Sequence, residues 1–388
     1  MTVTAPKGFR AAGVTAGIKA SGKPDLALVV NDGPDKNAAA VFTSNRVAAA
    51  PVRWSRQAVS DGRADAVVLN SGGANACTGP QGFQNAHKTA EKTADVLGVS
   101  AVDVIVCSTG LIGEQLPMDK VLSGIDAASA ALADDGGHAA AVAIMTTDTV
   151  PKEALFNGTD AEGTAYTIGG IAKGAGMLAP GLATMLVVLT TDAAAAPEML
   201  DAALRDATRV TFDRADSDGC MSTNDTVVLL SSGASGAVPA AADFTAGLTQ
   251  VCAELARKLI GDAEGASHDI AIRAFNAASE SDAEVVARAV ARSNLFKTAI
   301  FGKDPNWGRV LSAVGTTDAV FDPDELSVAI NGVQVCQKGG IGEDRSLVDL
   351  EPREVLVEID LQAGEAEATI LTNDLTHDYV HENSAYSS

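Results

Sequence analysis

Short aliphatic runs alternate with glycine-rich turns and with segments of helical period. Runs at residues 26–30, 40–43, 66–70, 104–108, 185–190, 226–231, 269–274, 326–331, 355–361 and 368–372 predict strands. Apolar positions recurring at three and four predict helices over 83–97, 118–132, 197–210, 244–260, 282–293 and 307–314. Pro117 and Pro197 suit the first turn of their helices, where a missing N–H costs nothing. Strands and helices mix without a strict βαβ beat, and several strands run in pairs. This favours an α+β (mixed α/β) layered architecture over a doubly wound parallel sheet. Residues 133–138 and 339–344, rich in Gly and Asp, are expected to be surface loops rather than linkers.

Composition narrows the class. A chain of 388 residues has a prior of two or three domains and needs no covalent staples. Hydrophobic residues are 46% and charged residues 20%, which excludes a disordered chain. Lys plus Arg number 28 against 50 Asp plus Glu, a formal charge of −22. That field repels phosphate backbones and anionic lipid, so neither nucleic acid nor a membrane surface is an expected partner. The five cysteines are widely spaced, which argues against a disulfide framework and a zinc knuckle and points to a reducing, cytoplasmic compartment. The N-terminus has no apolar stretch of signal-peptide length, and the run at 185–189 is far too short to span a bilayer.

The familiar constellations are missing. His87, His138, His268, His377 and His381 show no zinc-ligand spacing, and each is expected at the surface. There is no G-x-S-x-G elbow, Walker A loop or Rossmann fingerprint, and Gly72-Gly73 reads as a tight turn. Neither a metal nor an organic cofactor is expected.

The informative stretch is KGAGMLAPGLATML, residues 173–186. A cation, Lys173, enters a glycine-rich loop that feeds a buried strand through Ala183-Thr184. On pattern alone the plainer reading is a surface loop whose threonine starts a strand. The chemical reading makes Thr184 a nucleophile. A threonine hydroxyl needs a base, and cutting the chain just before it frees an α-amino group of well-matched pKa. A second stretch, Cys107 to Gly113, leaves a strand through Thr109-Gly110; such a turn can present an oxyanion hole or simply cap a helix.

Several motifs, in order along nearly the whole chain, go further: LNSGGANACTG (69–79), CSTGLIGEQLPMDK (107–120), AIMTTDTVPK (143–152), KGAGMLAPGLATML (173–186), STNDTVVLLSSG (222–233), FGKDPNWGRV (301–310) and ENSAYSS (382–388). Together they closely resemble the self-cleaving ornithine acetyltransferases, or glutamate N-acetyltransferases, of arginine biosynthesis. The resemblance implies stacked sheets flanked by helices in two interlocked lobes. It implies cleavage between Ala183 and Thr184, giving an α chain (1–183) and a β chain (184–388) of one fold. Thr184 is then the nucleophile, Thr109 and Gly110 the oxyanion-hole pair, and Thr146, Lys173, Thr184, Glu264, Asn383 and Ser388 the substrate-binding residues. The implied reaction is ping-pong acetyl transfer from N2-acetylornithine to glutamate, by a dimer of cleaved protomers (a heterotetramer). The sequence shows no adenosine-binding feature, which favours the form that does not use acetyl-CoA. A threonine-nucleophile amidohydrolase or aminopeptidase, and a secondary-metabolism paralogue of the acetyltransferase, are the alternatives.

Overall fold

The computed structural model describes residues 2–179 and 185–385. The chain forms two units that are interleaved along the sequence: residues up to 213 with 220–259, and residues 214–219 with those from 260 onward. Both flanks of residues 180–184 belong to the first unit.

The strands of the first unit are β1 (Phe9–Val14), β2 (Leu26–Asn31), β3 (Asn37–Phe42), β4 (Ala66–Ser71), β5 (Val104–Thr109), β6 (Lys152–Thr159), β7 (Ala165–Lys173), β8 (Leu186–Thr191) and β9 (Thr226–Ser231). Its helices are α1 (Ala50–Ala58), α2 (Gly79–Leu97), α3 (Met118–Ala130), α4 (Gly137–Ala143), α5 (Pro197–Arg209) and α6 (Ala241–Gly261), the last two residues of α6 belonging to the second unit. Four strands pair in the order β1-β2-β4-β5, and five in the order β3-β9-β8-β7-β6. The pairs β4-β5 and β8-β9 are parallel and the others antiparallel.

Period-two alternation sorts the side chains of the four-stranded sheet into two cores. Ala27, Val29, Val67, Leu69, Ile105 and Cys107 pack with Ile171, Leu186, Val188, Val228 and Leu230 of the five-stranded sheet. Their neighbours Leu26, Leu28, Val68, Val104 and Val106 pack the other way, against α2 and α3 through Ala90, Val121 and Ile125. Both faces are covered, so these strands read as continuous apolar runs rather than alternating ones. On the far side of the five-stranded sheet α6 lies close: a Cβ on Gly170 would meet Val251 and Leu255.

β6 and β7 carry no such run. Gly169 and Gly170 interrupt β7 because other groups need the room: a Cβ on Gly169 would come within 1.9 Å of the Thr2 carbonyl oxygen. The expected loop at 133–138 gives way to α4 at Gly137. Pro197 opens its helix as expected, whereas Pro117 stands one position before α3.

The second unit has β10 (Asp269–Ala277), β11 (Ser327–Ile330), β12 (Val333–Gln337), β13 (Gly340–Ile341), β14 (Glu354–Asp360) and β15 (Ala366–Asn373). Its helices are α7 (Glu280–Ala291), α8 (Asn294–Phe301), α9 (Trp307–Val314) and α10 (His377–Ala385). The strands form one sheet in the order β13-β12-β11-β14-β10-β15. Ile270, Ile272, Val355, Val357 and Ile370 on one face pack with Val286, Val290, Phe296 and Val310 of α7, α8 and α9. Arg273 pairs with both Glu358 and Glu367 on that sheet, where all three are partly exposed.

His268 corrects a sequence expectation: it is buried, not at the surface. Its Nδ1 lies 2.8 Å from Asp374 Oδ2 and its Nε2 3.1 Å from the Leu350 carbonyl oxygen. An acceptor at each ring nitrogen offsets the loss of water. The five cysteines are free, and among the described residues no helix is long and apolar enough to cross a membrane.

Candidate active site

β5 ends at Thr109, and Gly110 follows with φ of +130°. A Cβ at Gly110 would sit 2.5 Å from the Gly73 nitrogen, so only glycine fits this turn. The close neighbour is also a hydrogen-bond partner: Gly73 N–H donates to the Thr109 carbonyl at 3.0 Å. A peptide unit is planar and trans, so holding the Thr109 carbonyl also fixes the direction of the Gly110 N–H.

Lys173 ends β7 and is 2% exposed. Its Nζ donates to Thr146 Oγ1 at 2.7 Å and to Thr109 Oγ1 at 3.4 Å. Three residues singled out from the sequence, from three separate segments, therefore meet at one ammonium group. Asp148 holds it there. Asp148 Oδ1 accepts from Lys152 Nζ and from Gly174 N–H, both at 2.6 Å, and Oδ2 accepts from Thr146 N–H at 2.9 Å. Lys173 Nζ lies 3.9 Å from Oδ2. Burial pushes the Asp148 carboxyl up, but the charges of Lys173 and Lys152 outweigh it and hold the group at about 2. Lys19 approaches from the loop after β1, donating to the carbonyls of Met145 (2.6 Å) and Pro24 (2.9 Å). Burial, helped by the Lys173 charge and opposed by Asp25, lowers the Lys19 ammonium to about 8. Among the described residues, then, Lys152 and Lys173 flank Asp148, and Lys19 lies close enough to feel the charges of Asp25, Lys173 and Asp148; three cations against two carboxylates suit a carboxylate ligand.

Glu264 and Asn383 meet in the second unit: Asn383 Nδ2 donates to Glu264 Oε2 at 3.0 Å. Their approach is built locally. Thr376 caps α10 by accepting from Tyr379 N–H at 2.9 Å, and its hydroxyl donates to the Gly265 carbonyl at 2.6 Å. Gly265 has φ of +60°, and a Cβ there would stand 2.2 Å from the Tyr379 nitrogen, so α10 seats directly on this glycine. Ala183, Thr184 and Ser388 lie outside the described residues.

Sequence reasoning missed Lys19, Asp148 and Lys152. Asp148 and Lys152 are four apart in TTDTVPK, a spacing that could have flagged the pair. It also missed Asn224 and Asp225, the polar pair that abuts β9. Among the described residues no group of three or more His, Cys, Asp or Glu stands together as metal ligands.

The chain matches the model of the ArgJ family over residues 10–388. It is 66% identical, over all of both chains, to the arginine biosynthesis bifunctional protein ArgJ of Streptomyces coelicolor. It is 64% identical, again over all of both, to the protein of that name from Thermobifida fusca. It is also similar to a solved structure of ornithine acetyltransferase complexed with ornithine from Mycobacterium tuberculosis, at 53% identity over 48% of this chain and 96% of that one, with a TM-score of 0.43.

Proposed function

The chain belongs to the ArgJ family and is an acetyltransferase of arginine biosynthesis, and from that premise we propose that Thr184 carries the acetyl group from N2-acetylornithine to glutamate. Thr184 Oγ first attacks the Ala183 carbonyl, the peptide nitrogen leaves as an amine, and water hydrolyses the resulting ester. The freed α-amino group then takes the proton of Thr184 Oγ as it attacks the acetyl carbonyl of N2-acetylornithine. Gly110 N–H and Thr109 stabilise the oxyanion, ornithine departs with the proton on its nitrogen, and acetyl-Thr184 remains. The amine of glutamate attacks this ester by the same route.

The observation that carries the reading is the meeting of Thr109, Thr146 and Lys173 in a buried, lysine-rich cluster. Lys173 binds the α-carboxylate that ornithine and glutamate share, and its charge favours the neutral amine of Thr184. Thr146 helps hold the same group. Glu264 takes an ammonium group of the substrate, and Asn383 and Ser388 complete the binding set. The word bifunctional in the relatives' names weighs against the single-donor form expected from the sequence, so acetyl-CoA is tested as a second donor. We also assign the protein to the cytoplasm, as free cysteines support, and to a dimer of cleaved protomers.

Intact mass under denaturing conditions tests the core of this. Two species meeting at Ala183 and Thr184 are expected, and Thr184→Ala is expected to remain one inactive chain. A single full-length species in active protein overturns the mechanism. Acetyl release without glutamate would instead support the amidohydrolase reading.

A further inference from the structure

Asn224 and Asp225 stand between two segments that the mechanism needs in register, and neither has a part in it so far. Both are buried, Asn224 at 4% exposure and Asp225 at 0%. The Asn224 side chain has its amide orientation fixed by its partners. Nδ2 donates to the Ala74 carbonyl at 2.6 Å and to the Ser108 carbonyl at 2.8 Å, while Oδ1 accepts from Thr223 Oγ1 at 2.6 Å. The loop supports itself locally, since Asn224 N–H donates to Ser222 Oγ at 3.1 Å.

The Ser108 carbonyl belongs to the peptide plane whose N–H is that of Thr109. The next plane is held by Gly73 N–H on the Thr109 carbonyl, and Ala74 N–H donates to the Leu111 carbonyl at 2.9 Å. One side-chain amide thus clamps both strips of the turn: the strip that ends β5 and the Gly73-Ala74 strip lying along it. Asp225 faces the other way. Its Oδ1 accepts from Met185 N–H at 3.2 Å, and Met185 is the residue after Thr184. The Met185 carbonyl accepts from Thr226 N–H at 3.1 Å, so Met185 is held on both sides by the start of β9. Asp225 Oδ2 is buried with no hydrogen-bond partner among the described residues. Burial raises this carboxyl well above the usual range, against the pull of Met185 N–H, the nearby Ser222 hydroxyl, the Lys173 charge and the nearby Thr43 hydroxyl.

We propose that Asn224 and Asp225 form one positioning pair, with Asn224 setting the peptide planes of the Thr109–Gly110 turn and Asp225 setting the peptide that follows Thr184. Because the two residues are adjacent in the chain, a shift of either segment is transmitted to the other. Neither touches the reacting atoms in this assignment. The proposal rests on the reading of Thr184 as nucleophile and of Thr109–Gly110 as oxyanion turn.

The test uses the full-length chain and follows self-cleavage by intact mass and acetyl transfer by initial rates. Asn224→Ala is expected to lower kcat about 100-fold, the scale of an ångström-sized misplacement, with KM changed by less than about threefold. Asp225→Ala is expected to slow the cut to a similar degree. Asp225→Asn, which keeps an oxygen acceptor for Met185 N–H, recovers at least about tenfold of that loss. Asn224→Asp keeps the shape but not the two donors, and is expected to fall near Asn224→Ala. The proposal is overturned if both alanine variants cut and turn over at wild-type rates, or if KM rises in place of a fall in kcat. It is equally overturned if Asn224→Ala does not fold while Asn224→Asp is fully active. Thr184→Ala separates the two levels: a cut, active Thr184→Ala removes the nucleophile reading itself, whereas an inert Thr184→Ala beside normal Asn224 and Asp225 variants removes only the positioning pair.

Discussion

The Lys173 cluster of the first unit and the Glu264–Asn383 pair of the second use similar chemistry in opposite surroundings. Lys173 is 2% exposed and Asp148 is fully buried, whereas Glu264 is half-buried and Asn383 exposed. Coulomb interactions are several times stronger away from water, and a buried charge that loses its partner has no solvent to turn to. The first cluster is therefore preorganised: its groups hold one another before a substrate arrives. The second is screened, and its groups are free to follow a ligand. Fold stability and turnover should depend on the first, and substrate affinity on the second.

The largest expected effect breaks the buried side. Asp148→Ala leaves Lys152, fully buried, without its carboxylate at 2.6 Å. Loss of one partner of a buried ion pair costs about 3–5 kcal/mol, to be read from the denaturant midpoint. A loss below about 1 kcal/mol would mean the cluster is not held as an ionic unit.

The pH dependence sharpens the same point. The native Asp148 carboxyl is held at about 2, below its ordinary value near 4. A depressed carboxylate contributes stability that is fully present above the unfolded pKa and lost as pH falls through the native one. Stability should therefore fall between about pH 4 and pH 2 by an amount of order 2 kcal/mol that Asp148→Asn abolishes. An identical acid titration of stability in that variant would assign the loss to other carboxylates.

How far the buried side could be read from sequence depends on the kind of residue. The strands showed themselves where both faces are covered, as in β4 and β5, because residues 66–69 and 104–107 are each an unbroken apolar run. β7 hid because Gly169 and Gly170 yield to neighbouring backbone and side chains, a need that no local pattern reveals. In the site, Thr109, Gly110 and Lys173 stood out through their turn and glycine loop. Lys19 and Asn224 did not, because partners that place them are distant in the chain: Lys19 bonds across 126 residues to Met145 and Asn224 across 116 to Ser108. Asp148 was passed over although Lys152 stands four residues away. A short polar side chain beside a strand looks like a cap until its partner is known. At the C-terminal end α10 is seated by the close approach of Tyr379 to Gly265 and by the Asn383–Glu264 bond, neither of which a sequence pattern encodes.

Lys173→Met sharpens the comparison on the side of activity. Asp148 keeps Lys152 at 2.6 Å but loses the Lys173 charge at 3.9 Å, so the fold is also weakened; on the proposed reading the charge-assisted contact to a substrate carboxylate is removed as well. A contact of that kind contributes about 1.5–3 kcal/mol, so kcat/KM for N2-acetylornithine should fall roughly 10- to 100-fold. If kcat/KM is unchanged, Lys173 does not read the carboxylate.

The smallest effect belongs to the exposed side, and Glu264→Gln isolates it. The amide keeps the shape and one oxygen acceptor for Asn383 Nδ2, so the seat of α10 on Gly265 is left intact. Surface substitutions of this kind stay within about 0.5 kcal/mol, and the denaturant midpoint should barely move. What is lost, on the proposed reading, is the negative charge offered to a substrate ammonium. Half-exposed, it is screened, so the expected change is a rise of about tenfold in KM with kcat within about twofold. Raising the ionic strength should shrink the difference between the two proteins, since the interaction removed is a screened Coulomb attraction. A fall in kcat at constant KM would place Glu264 with the preorganised groups and erase the distinction between the two regions.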